Sequence, residues 1–190
     1  MDSKGKVKDL KGSQTEKNLY KTFAGESRAR AKYNLYAEKA REDGYMWVGD
    51  IFDETSKNEF AHLREAYKRF LKNVKSTEDN LIDSINGEGE EADSIYLDFE
   101  KTANKEGFLE IATFFKELRE VEEAHKERYK ALLDRIKNNT MFNSDKVTYY
   151  QCLNCGYIHE GKSAPMHCPL CTYERKYFKP YSKECNRWCF

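Results

Sequence analysis

NEFAH, residues 58–62, recurs sixty-three residues later as VEEAH, residues 121–125, and each segment places a glutamate three residues before a histidine. Residues three apart share one face of an α-helix, so Glu59 points with His62 and Glu122 points with His125. One such pair is typical of a solvated helix surface. Its recurrence at a fixed interval indicates that a larger structural unit is repeated.

The similarity extends along the helices on both sides of these pairs. A shift of 63 residues aligns aromatic, glycine, glutamate and histidine positions of the two halves. The aligned pairs include Tyr33 and Tyr96, Tyr36 and Phe99, Gly44 and Gly107, Phe52 and Phe115, Glu59 and Glu122, and His62 and His125. A whole helical hairpin is therefore predicted to occur twice.

Apolar residues at helical intervals predict four long helices between residues 13 and 138. The predicted helices run from Ser13 to Gly44, from Met46 to about Asn73, from about Asn80 to Glu106, and from Phe108 to about Lys137. Ser13 and Glu16 have the spacing of a capping box. This pattern predicts a mainly α fold, with a four-helix bundle at residues 1–146. Residues 147–190 form runs rich in Tyr, Gly, Pro and Cys, which predict a small domain of turns and short strands.

The first helix of each hairpin offers a carboxylate at a matching distance from the turn. Glu26 lies 18 residues before Gly44, and Glu88 lies 19 before Gly107. At a rise of ~1.5 Å per residue, these carboxylates come nearly level with the ExxH pairs. Clustered carboxylates repel one another unless a cation neutralises them. Two glutamates plus two ExxH pairs are the ligand pattern of di-iron carboxylate bundles, so we predict a dinuclear iron or manganese site.

One position departs from the repeat. The counterpart of Glu26 under the 63-residue shift is Gly89, within NGEGEEA at residues 86–92. Glu88 and Glu91 share a helix face, which makes Glu91 a candidate fifth carboxylate, whereas Glu90 points elsewhere. The two glycines of this segment weaken a helix by about 1 kcal/mol each relative to alanine, and a close approach of the backbone to a metal pocket would account for them.

The six cysteines all lie after residue 151. CLNC at 152–155 and CPLC at 168–171 have the spacing of a tetrathiolate site for iron or zinc, with ligands Cys152, Cys155, Cys168 and Cys171. A left-handed turn at Gly156 would let its amide donate to sulfur. Cys185 and Cys189 lie outside this pattern and are expected to be free thiols, and His159 and His167 are expected to be exposed loop residues.

The composition narrows the classes of function. Lys plus Arg and Asp plus Glu number 33 each and are interleaved, which argues against a nucleic-acid partner. No segment has the length and hydropathy of a membrane span or of a secretion signal. We therefore expect a soluble cytoplasmic protein, where clustered cysteines indicate metal or redox chemistry rather than disulfides.

In combination, these motifs resemble the rubrerythrin family. The segments that carry the resemblance are LKGSQTEKNLYKTFAGES (10–27), DIFDETSKNEFAH (50–62), the GExxE of residues 87–91, VEEAH, CLNCGYIHEG (152–161) and CPLC. They follow the family's order over nearly the whole chain. The resemblance implies a ferritin-like di-iron bundle joined to a rubredoxin-like domain with one iron bound by four cysteines.

The resemblance also implies a set of residues and an activity. The implied di-iron ligands are Glu26, Glu59, His62, Glu88, Glu91, Glu122 and His125, with Tyr33 and Tyr96 around them, and an exchange of Glu91 for His62 at one iron as the redox state changes. The implied enzyme is a non-haem peroxidase that reduces hydrogen peroxide to water in oxidative-stress defence. Its electrons would come through the rubredoxin-like iron from an upstream donor such as a rubredoxin or an NAD(P)H-dependent reductase, between subunits placed head to tail. The alternatives are a ferroxidase or iron-storage protein, and a zinc-ribbon interaction module.

The connection between the second and third helices predicts an unusual dimer. From His62 to Asn73 and from Asn80 to Glu88, the helices extend ~16 Å and ~12 Å to opposite sides of the site. An extended connector of about seven residues spans at most ~25 Å, which is too short for one chain to close its own bundle. We therefore predict a homodimer or larger assembly in which the first hairpin of one chain pairs with the second hairpin of another.

Overall fold

The computed structural model describes residues 9–182. The chain divides into two compact units, one up to Lys75 and one from Ser76 onward. The predicted domain boundary at residues 146 and 147 stays a prediction. No helix within residues 9–182 combines the length and the apolar character that a membrane crossing requires.

The first unit is a helical hairpin. Helix α1 spans Gln14–Glu42, and helix α2 spans Met46–Arg64 and continues as a π-helical turn at Glu65–Phe70. These bounds match the first two predicted helices. The first hairpin is the name used below for these elements.

The second unit begins with a second hairpin. Helix α3 spans Thr77–Glu90, a π-helical stretch spans Glu91–Ile95, and helix α4 spans Tyr96–Glu106. Helix α5 spans Leu109–Lys137 and packs against all three. The residues Glu91–Ile95 are called the π segment below, and α3 to α5 with the π segment form the second hairpin.

Serine caps set the first residue of each hairpin. Ser13 Oγ accepts the amide of Glu16 at 3.0 Å, as the capping-box spacing predicts, although the Glu16 carboxylate accepts the amide of Gly12 rather than that of Ser13. In α3, Ser76 Oγ accepts the amide of Asp79 at 3.1 Å. This cap starts α3 at Thr77, so the predicted start near Asn80 was three residues too late.

The two hairpin turns are alike. Gly44 and Gly107 both adopt φ of +85°, the left-handed conformation that glycine reaches at the end of a helix without strain. The amide after each glycine donates back across the turn, from Tyr45 to the carbonyl of Ala40 and from Phe108 to that of Ala103. The glycines that mark the breaks in the sequence are therefore the ones that reverse the chain.

Aromatic rings stack at the same place in each hairpin. In the first, Tyr33 stacks on Phe52 with ring centroids 6.0 Å apart, and Tyr36 meets Phe52 edge-on at 5.6 Å. In the second, Tyr96 and Phe99 meet Phe115 in the same manner at 6.1 Å and 5.4 Å; these are the positions that the 63-residue shift aligns. Small buried residues complete the helix contacts: Ala37, Ala40 and Ala66 in the first hairpin, and Ala92, Ala103 and Ala112 in the second.

A small antiparallel sheet follows α5. Strand β1 spans Asn143–Cys152 and lies between β2 (Ile158–Ser163) and β3 (Phe178–Tyr181). Tyr150, Cys152, Ala164, Cys168 and Phe178 form its buried core. The predicted turns and short strands are confirmed. Two of its cysteines are thus core residues, which fixes the sulfur atoms relative to the sheet.

Candidate metal centres

The first hairpin brings Glu26, Glu59 and His62 together. Their ligand atoms lie within 4.8 Å of one another. His62 Nδ1 lies 2.9 Å from Glu59 Oε2 and 4.0 Å from Glu26 Oε1. The Glu59 side chain is 16% exposed and that of Glu26 is 29% exposed, so both carboxylates sit in partly desolvated positions.

The pKa values of the two carboxylates of this cluster are shifted in opposite directions. Their mutual hydrogen bond raises the pKa of Glu26, with burial and the charge of Glu59 acting in the same direction. The same hydrogen bond, together with one to His62, lowers the pKa of Glu59. Such opposed shifts arise when one carboxyl holds the proton that its ionised neighbour accepts. A bound cation would remove the need for that proton.

The second hairpin repeats the cluster with Glu88, Glu122 and His125. The three ligand atoms again lie within 4.8 Å of one another. His125 Nδ1 lies 2.8 Å from Glu122 Oε2 and 3.6 Å from Glu88 Oε2. This cluster is more enclosed, because Glu122 is buried and the His125 side chain is 36% exposed where that of His62 is 59% exposed. The matched geometry follows from the matched sequence.

Two further residues lie beside this second cluster. Burial raises the pKa of Glu88, and the hydrogen bond and charge of Glu122 and the charge of Glu91 add to the rise. Burial, then the charges of Glu91, Glu122 and Glu88, also raise the pKa of the Tyr96 phenol. Glu91 therefore lies close enough to influence both groups, although it is not one of the three clustered ligands.

The π segment explains why the two halves differ by one residue in the sequence. A π turn accommodates one more residue than an α turn, and such turns are frequent at functional sites. The extra residue falls between Glu88 and Tyr96, which have seven residues between them, whereas Glu26 and Tyr33 have six. Glu88 and Tyr96 therefore occupy the same places in the second hairpin as Glu26 and Tyr33 in the first. In the 63-residue alignment, however, it is Gly89 that is matched with Glu26.

The glycines of NGEGEEA do not have the predicted cause. A side chain at Gly87 would meet open space. A Cβ at Gly89 would lie 3.3 Å from Cδ of Lys126, whose side chain is 11% exposed and lies 3.3 Å from Asp93. The prediction of a close backbone approach to a metal pocket was therefore wrong, because Gly89 instead makes room for a lysine from α5.

The four cysteines of the CxxC pairs form a compact cluster. Sγ of Cys152 lies 3.7 Å from that of Cys171, and Sγ of Cys155 lies 3.6 Å from that of Cys168. A tetrahedral ion with ~2.3 Å bonds to sulfur separates its ligands by about 3.8 Å, so the cluster already has the required size. This dimension fits iron and zinc equally.

Hydrogen bonds to sulfur come from residues other than the predicted one. Gly156 has the expected left-handed φ of +78°, but its amide donates to the carbonyl of Cys152. The amide of Tyr157 bonds Cys155 instead; burial and the neighbouring thiols outweigh it and raise the Cys155 pKa to about 12. Bonds from Asn154 and from the amide of Tyr173 lower the pKa of Cys171 to about 6.

The remaining cysteine and histidine predictions have mixed outcomes. Cys185 and Cys189 lie outside the described residues. His167 is exposed, as predicted. His159 is half-buried in strand β2 opposite Tyr150, so its assignment to an exposed loop was wrong. It lies in the part of β2 whose alternation turns it toward the sheet core.

The structure also reveals two polar residues that the sequence analysis missed. Ser56 is buried, with its Oγ 2.6 Å from Oδ1 of Asn34 and 3.3 Å from the carbonyl oxygen of Arg30. Arg119, its counterpart under the 63-residue shift, donates through Nε to the carbonyl of Ala92 at 3.1 Å. The signal was the shared position on α2 and α5, but serine and arginine do not look alike in a sequence repeat.

The donor sets fit metal ions. Two carboxylates and an imidazole per hairpin are hard and borderline ligands that suit iron or manganese. Four thiolates in a tetrahedral arrangement suit iron or zinc.

Known families match both parts of the chain. The family model described as Rubrerythrin matches residues 17–133, and the one described as Rubrerythrin, rubredoxin-like domain, matches residues 150–179. Rubrerythrin-1 of Clostridium acetobutylicum is 39% identical over 193 residues, which cover 93% of this chain and 99% of the relative. Rubrerythrin of Nitratidesulfovibrio vulgaris is 38% identical over 186 residues, which cover 91% and 97% respectively. The chain therefore belongs to the rubrerythrin family and combines a ferritin-like di-iron carboxylate domain with a rubredoxin-like iron domain.

Proposed function

We propose that this protein is a peroxidase that reduces hydrogen peroxide to two molecules of water, with two electrons and two protons consumed per turnover. The observation that carries the proposal is the presence, in one chain, of matched Glu/Glu/His clusters and a four-thiol cluster. The first kind of site suits peroxide chemistry and the second suits transfer of single electrons. A cytoplasmic role in oxidative-stress defence follows from that activity.

The residues that would bind the di-iron centre are those of both hairpins. We assign the ligands as Glu26, Glu59, His62, Glu88, Glu91, Glu122 and His125. When bound, two ferrous ions supply both electrons for cleavage of the O–O bond. The carboxylates balance the charge of the oxidised pair, and Glu91 and His62 serve as alternative ligands as that charge changes.

Tyr33 and Tyr96 are assigned to the surroundings of the centre. The raised pKa of Tyr96 keeps its phenol protonated at neutral pH. The Tyr96 Oη–H can therefore donate a hydrogen bond toward an oxygen atom at the cluster. Tyr33 holds the equivalent position in the first hairpin, stacked on Phe52.

Electrons would arrive through Cys152, Cys155, Cys168 and Cys171. The four thiolates hold one iron, and an upstream rubredoxin or NAD(P)H-dependent reductase supplies it with electrons. Twelve helical residues separate His125 from Lys137, at the end of α5, which is ~18 Å along the axis. This separation favours transfer to the di-iron centre of a neighbouring subunit placed head to tail.

Anaerobic stopped-flow spectroscopy tests the proposed reaction. Fully reduced, iron-loaded protein is mixed with hydrogen peroxide, and the ferric tetrathiolate colour is followed together with peroxide consumption. We expect rapid colour formation in the wild type. In Glu122→Ala the colour should form more than ~100-fold more slowly. Loss of a metal ligand should cost more activity than loss of a residue that only hydrogen-bonds to a ligand, which costs up to ~100-fold. Slow peroxide turnover combined with rapid iron mineralisation would favour the ferroxidase instead.

The assembly we propose is a homodimer in which hairpins are exchanged. The connector Leu71–Ser76 has six residues, and from Phe70 to Thr77 it reaches at most ~25 Å. The helices between His62 and Phe70 and between Thr77 and Glu88 add up to ~28 Å. This comparison supports the exchange without depending on the activity.

Mixed dimers test the exchange. Chains with Glu59→Ala and chains with Glu122→Ala are denatured, mixed and refolded together. In an exchanged dimer, one site of each mixed pair receives two intact hairpins, so about a quarter of all sites should recover. Self-contained bundles would recover none, and that result would exclude the exchange.

A further inference from the structure

In both hairpins, a side chain of the helix after the turn approaches the same backbone carbonyl of the helix before it. In the first, Ser56 Oγ of α2 lies 3.3 Å from the carbonyl oxygen of Arg30, four residues after Glu26, but its one proton has a nearer acceptor in Oδ1 of Asn34, at 2.6 Å. In the second, Arg119 of α5 donates to the carbonyl of Ala92, four residues after Glu88. The acceptors are equivalent when each helix is counted from its first carboxylate. In the second hairpin, α5 thus holds the backbone one turn beyond Glu88.

The two acceptor carbonyls differ in their backbone surroundings. Around Arg30, α1 is regular α-helix. Around Ala92, the amide of Tyr96 donates to the carbonyl of Glu91, five residues back, whereas in an α-helix it would donate to Ala92. Because of the π turn, the amide of Tyr96 does not donate to the carbonyl of Ala92. The guanidinium of Arg119 donates a hydrogen bond to that carbonyl instead.

Arg119 is itself held in place. Its Nη1 donates to Oε2 of Glu100 at 2.8 Å, and the two side chains are 31% and 21% exposed. A guanidinium can make both bonds at once because its donors form a rigid planar fork. A second cation of α5, Lys126, contacts the side chain of Asp93 in the π segment. Both cations of α5 therefore contact the segment between Glu88 and Tyr96, Arg119 through the backbone carbonyl of Ala92 and Lys126 through the side chain of Asp93.

We propose that Arg119, held by Glu100, is a positioning residue that keeps the extra residue of the helix at Glu91–Ile95 and so fixes where the Glu91 carboxylate lies. A π turn can move along a helix, since the inserted residue can be absorbed at neighbouring turns with the same total length. Each move rotates the residues between the old and the new position. A fixed donor opposite Ala92 selects one position and one direction for Glu91.

The consequence for Glu91 as a metal ligand rests on the proposed function, but the effect on the backbone does not. The carbonyl of Ala92 borders a groove lined by Asp93, Lys116 and Glu120 as well as Arg119. Water can enter that groove when the guanidinium is removed. Variants at Arg119 are therefore expected to fold.

The test compares Arg119→Ala with Ser56→Ala in the full-length protein. Amide hydrogen exchange is measured residue by residue, and Mn²⁺ binding is followed by titration and by EPR. Manganese suits carboxylate and imidazole ligands and leaves the thiolate site to iron. We expect exchange across Glu91–Ile95 and Tyr96 to accelerate about tenfold or more in Arg119→Ala, because a bond to a charged donor is lost. We also expect an altered EPR spectrum of bound Mn²⁺ and affinity lower by ~10- to 100-fold for one ion.

Control variants separate positioning from general destabilisation. Ser56→Ala should leave the π segment and the EPR spectrum unchanged. Arg119→Lys keeps the charge but loses the fork, so it should resemble Arg119→Ala, while Glu100→Gln should lie between it and the wild type. Unchanged exchange and an unchanged Mn²⁺ spectrum in Arg119→Ala would overturn the proposal. Failure of the wild type to bind Mn²⁺ would count against the proposed function alone, because hydrogen exchange still decides the role of Arg119.

Discussion

The two hairpins build the same cluster from helices of different length. Each places two glutamates and a histidine beside the same stack of three aromatic rings. The first hairpin does so with an uninterrupted α1, whereas the second contains one more residue and the π segment. An extra residue in a helix would rotate one end against the other by ~100° if it were spread through α geometry. Confining it to one turn preserves both ends.

The difference also shows what the extra residue adds. Glu91 begins the π segment and affects the pKa values of Glu88 and Tyr96. Its counterpart in the first hairpin, counted from the first carboxylate, is Ala29, which has no charge. The second hairpin therefore gains a third carboxylate at the same turn where its helix departs from α geometry.

The largest expected effect comes from removing equivalent ligands. Glu59→Ala and Glu122→Ala should each weaken metal binding by more than ~100-fold. That figure is the upper cost of losing a residue that only hydrogen-bonds to a metal ligand. The comparison predicts losses of similar size in both hairpins. Metal analysis after dialysis against a chelator measures them. A large loss in only one variant would break the equivalence of the two clusters.

Equivalent aromatic residues should contribute equally to stability. Phe52→Ala removes a ring on which two others pack, Phe115→Ala removes one that also contacts Phe114, and both rings are half-buried. We expect each change to lower the free energy of unfolding by about 2 kcal/mol, below the range for fully buried rings. Chemical denaturation measures both values. A difference above ~1 kcal/mol would mean that the stacks have unequal roles.

Removing the extra residue should make the second hairpin resemble the first. Deletion of the exposed Ser94 leaves six residues between Glu88 and Tyr96, as between Glu26 and Tyr33, so an uninterrupted α-helix becomes possible. We expect the free energy of unfolding to rise by about 1 kcal/mol, the worth of one backbone hydrogen bond. Insertion of an alanine after Arg30 is the matched change in α1 and should lower it. Global unfolding of the deletion variant would show that the π segment is required for the fold.

Equivalent helix caps are expected to have smaller effects. Ser13→Ala and Ser76→Ala each remove a side-chain acceptor for an amide in the first helical turn. Each should cost about 1 kcal/mol of stability, as measured by thermal denaturation. Replacement by aspartate restores the acceptor and serves as the control. A negligible effect at Ser76 would mean that the connector, rather than the cap, starts α3.

The smallest expected effect is on the pH dependence of stability. The raised pKa of Glu88 means that the metal-free native state binds more protons than the unfolded state as pH rises above 4.5. Stability from this group is present at lower pH and is lost as pH rises through the raised value. Added Mn²⁺ should therefore stabilise the protein more at pH 7 than at pH 5 in thermal melts. Equal stabilisation at both values would contradict the shift.

Much of the fold could be predicted because its signals are local or repeated. Glycines 44 and 107 mark the turns, and the ExxH and CxxC spacings identify both kinds of cluster. Periodicity alone did not identify the start of α3, since the residues between the serine cap and Asn80 are polar and add nothing to an apolar pattern.

The features that escaped prediction depend on contacts across helices or loops. A π turn has no local sequence signature. The sequence repeat showed that Glu88 is offset by one residue from the position that matches Glu26, but it did not show that a π turn causes the offset. The role of Gly89 depends on where Lys126 lies. Two of the donors to sulfur, at Tyr157 and Tyr173, are backbone amides, so the side chains of these residues give no indication of the contact.

Mössbauer spectroscopy of protein loaded with ⁵⁷Fe tests the central claim most directly. Two matched carboxylate clusters and one thiolate cluster predict a coupled di-iron signal with twice the intensity of a tetrathiolate iron signal. The same ratio should be lost in Glu122→Ala while the tetrathiolate signal remains. A wild-type spectrum with tetrathiolate iron and no coupled pair would contradict the account.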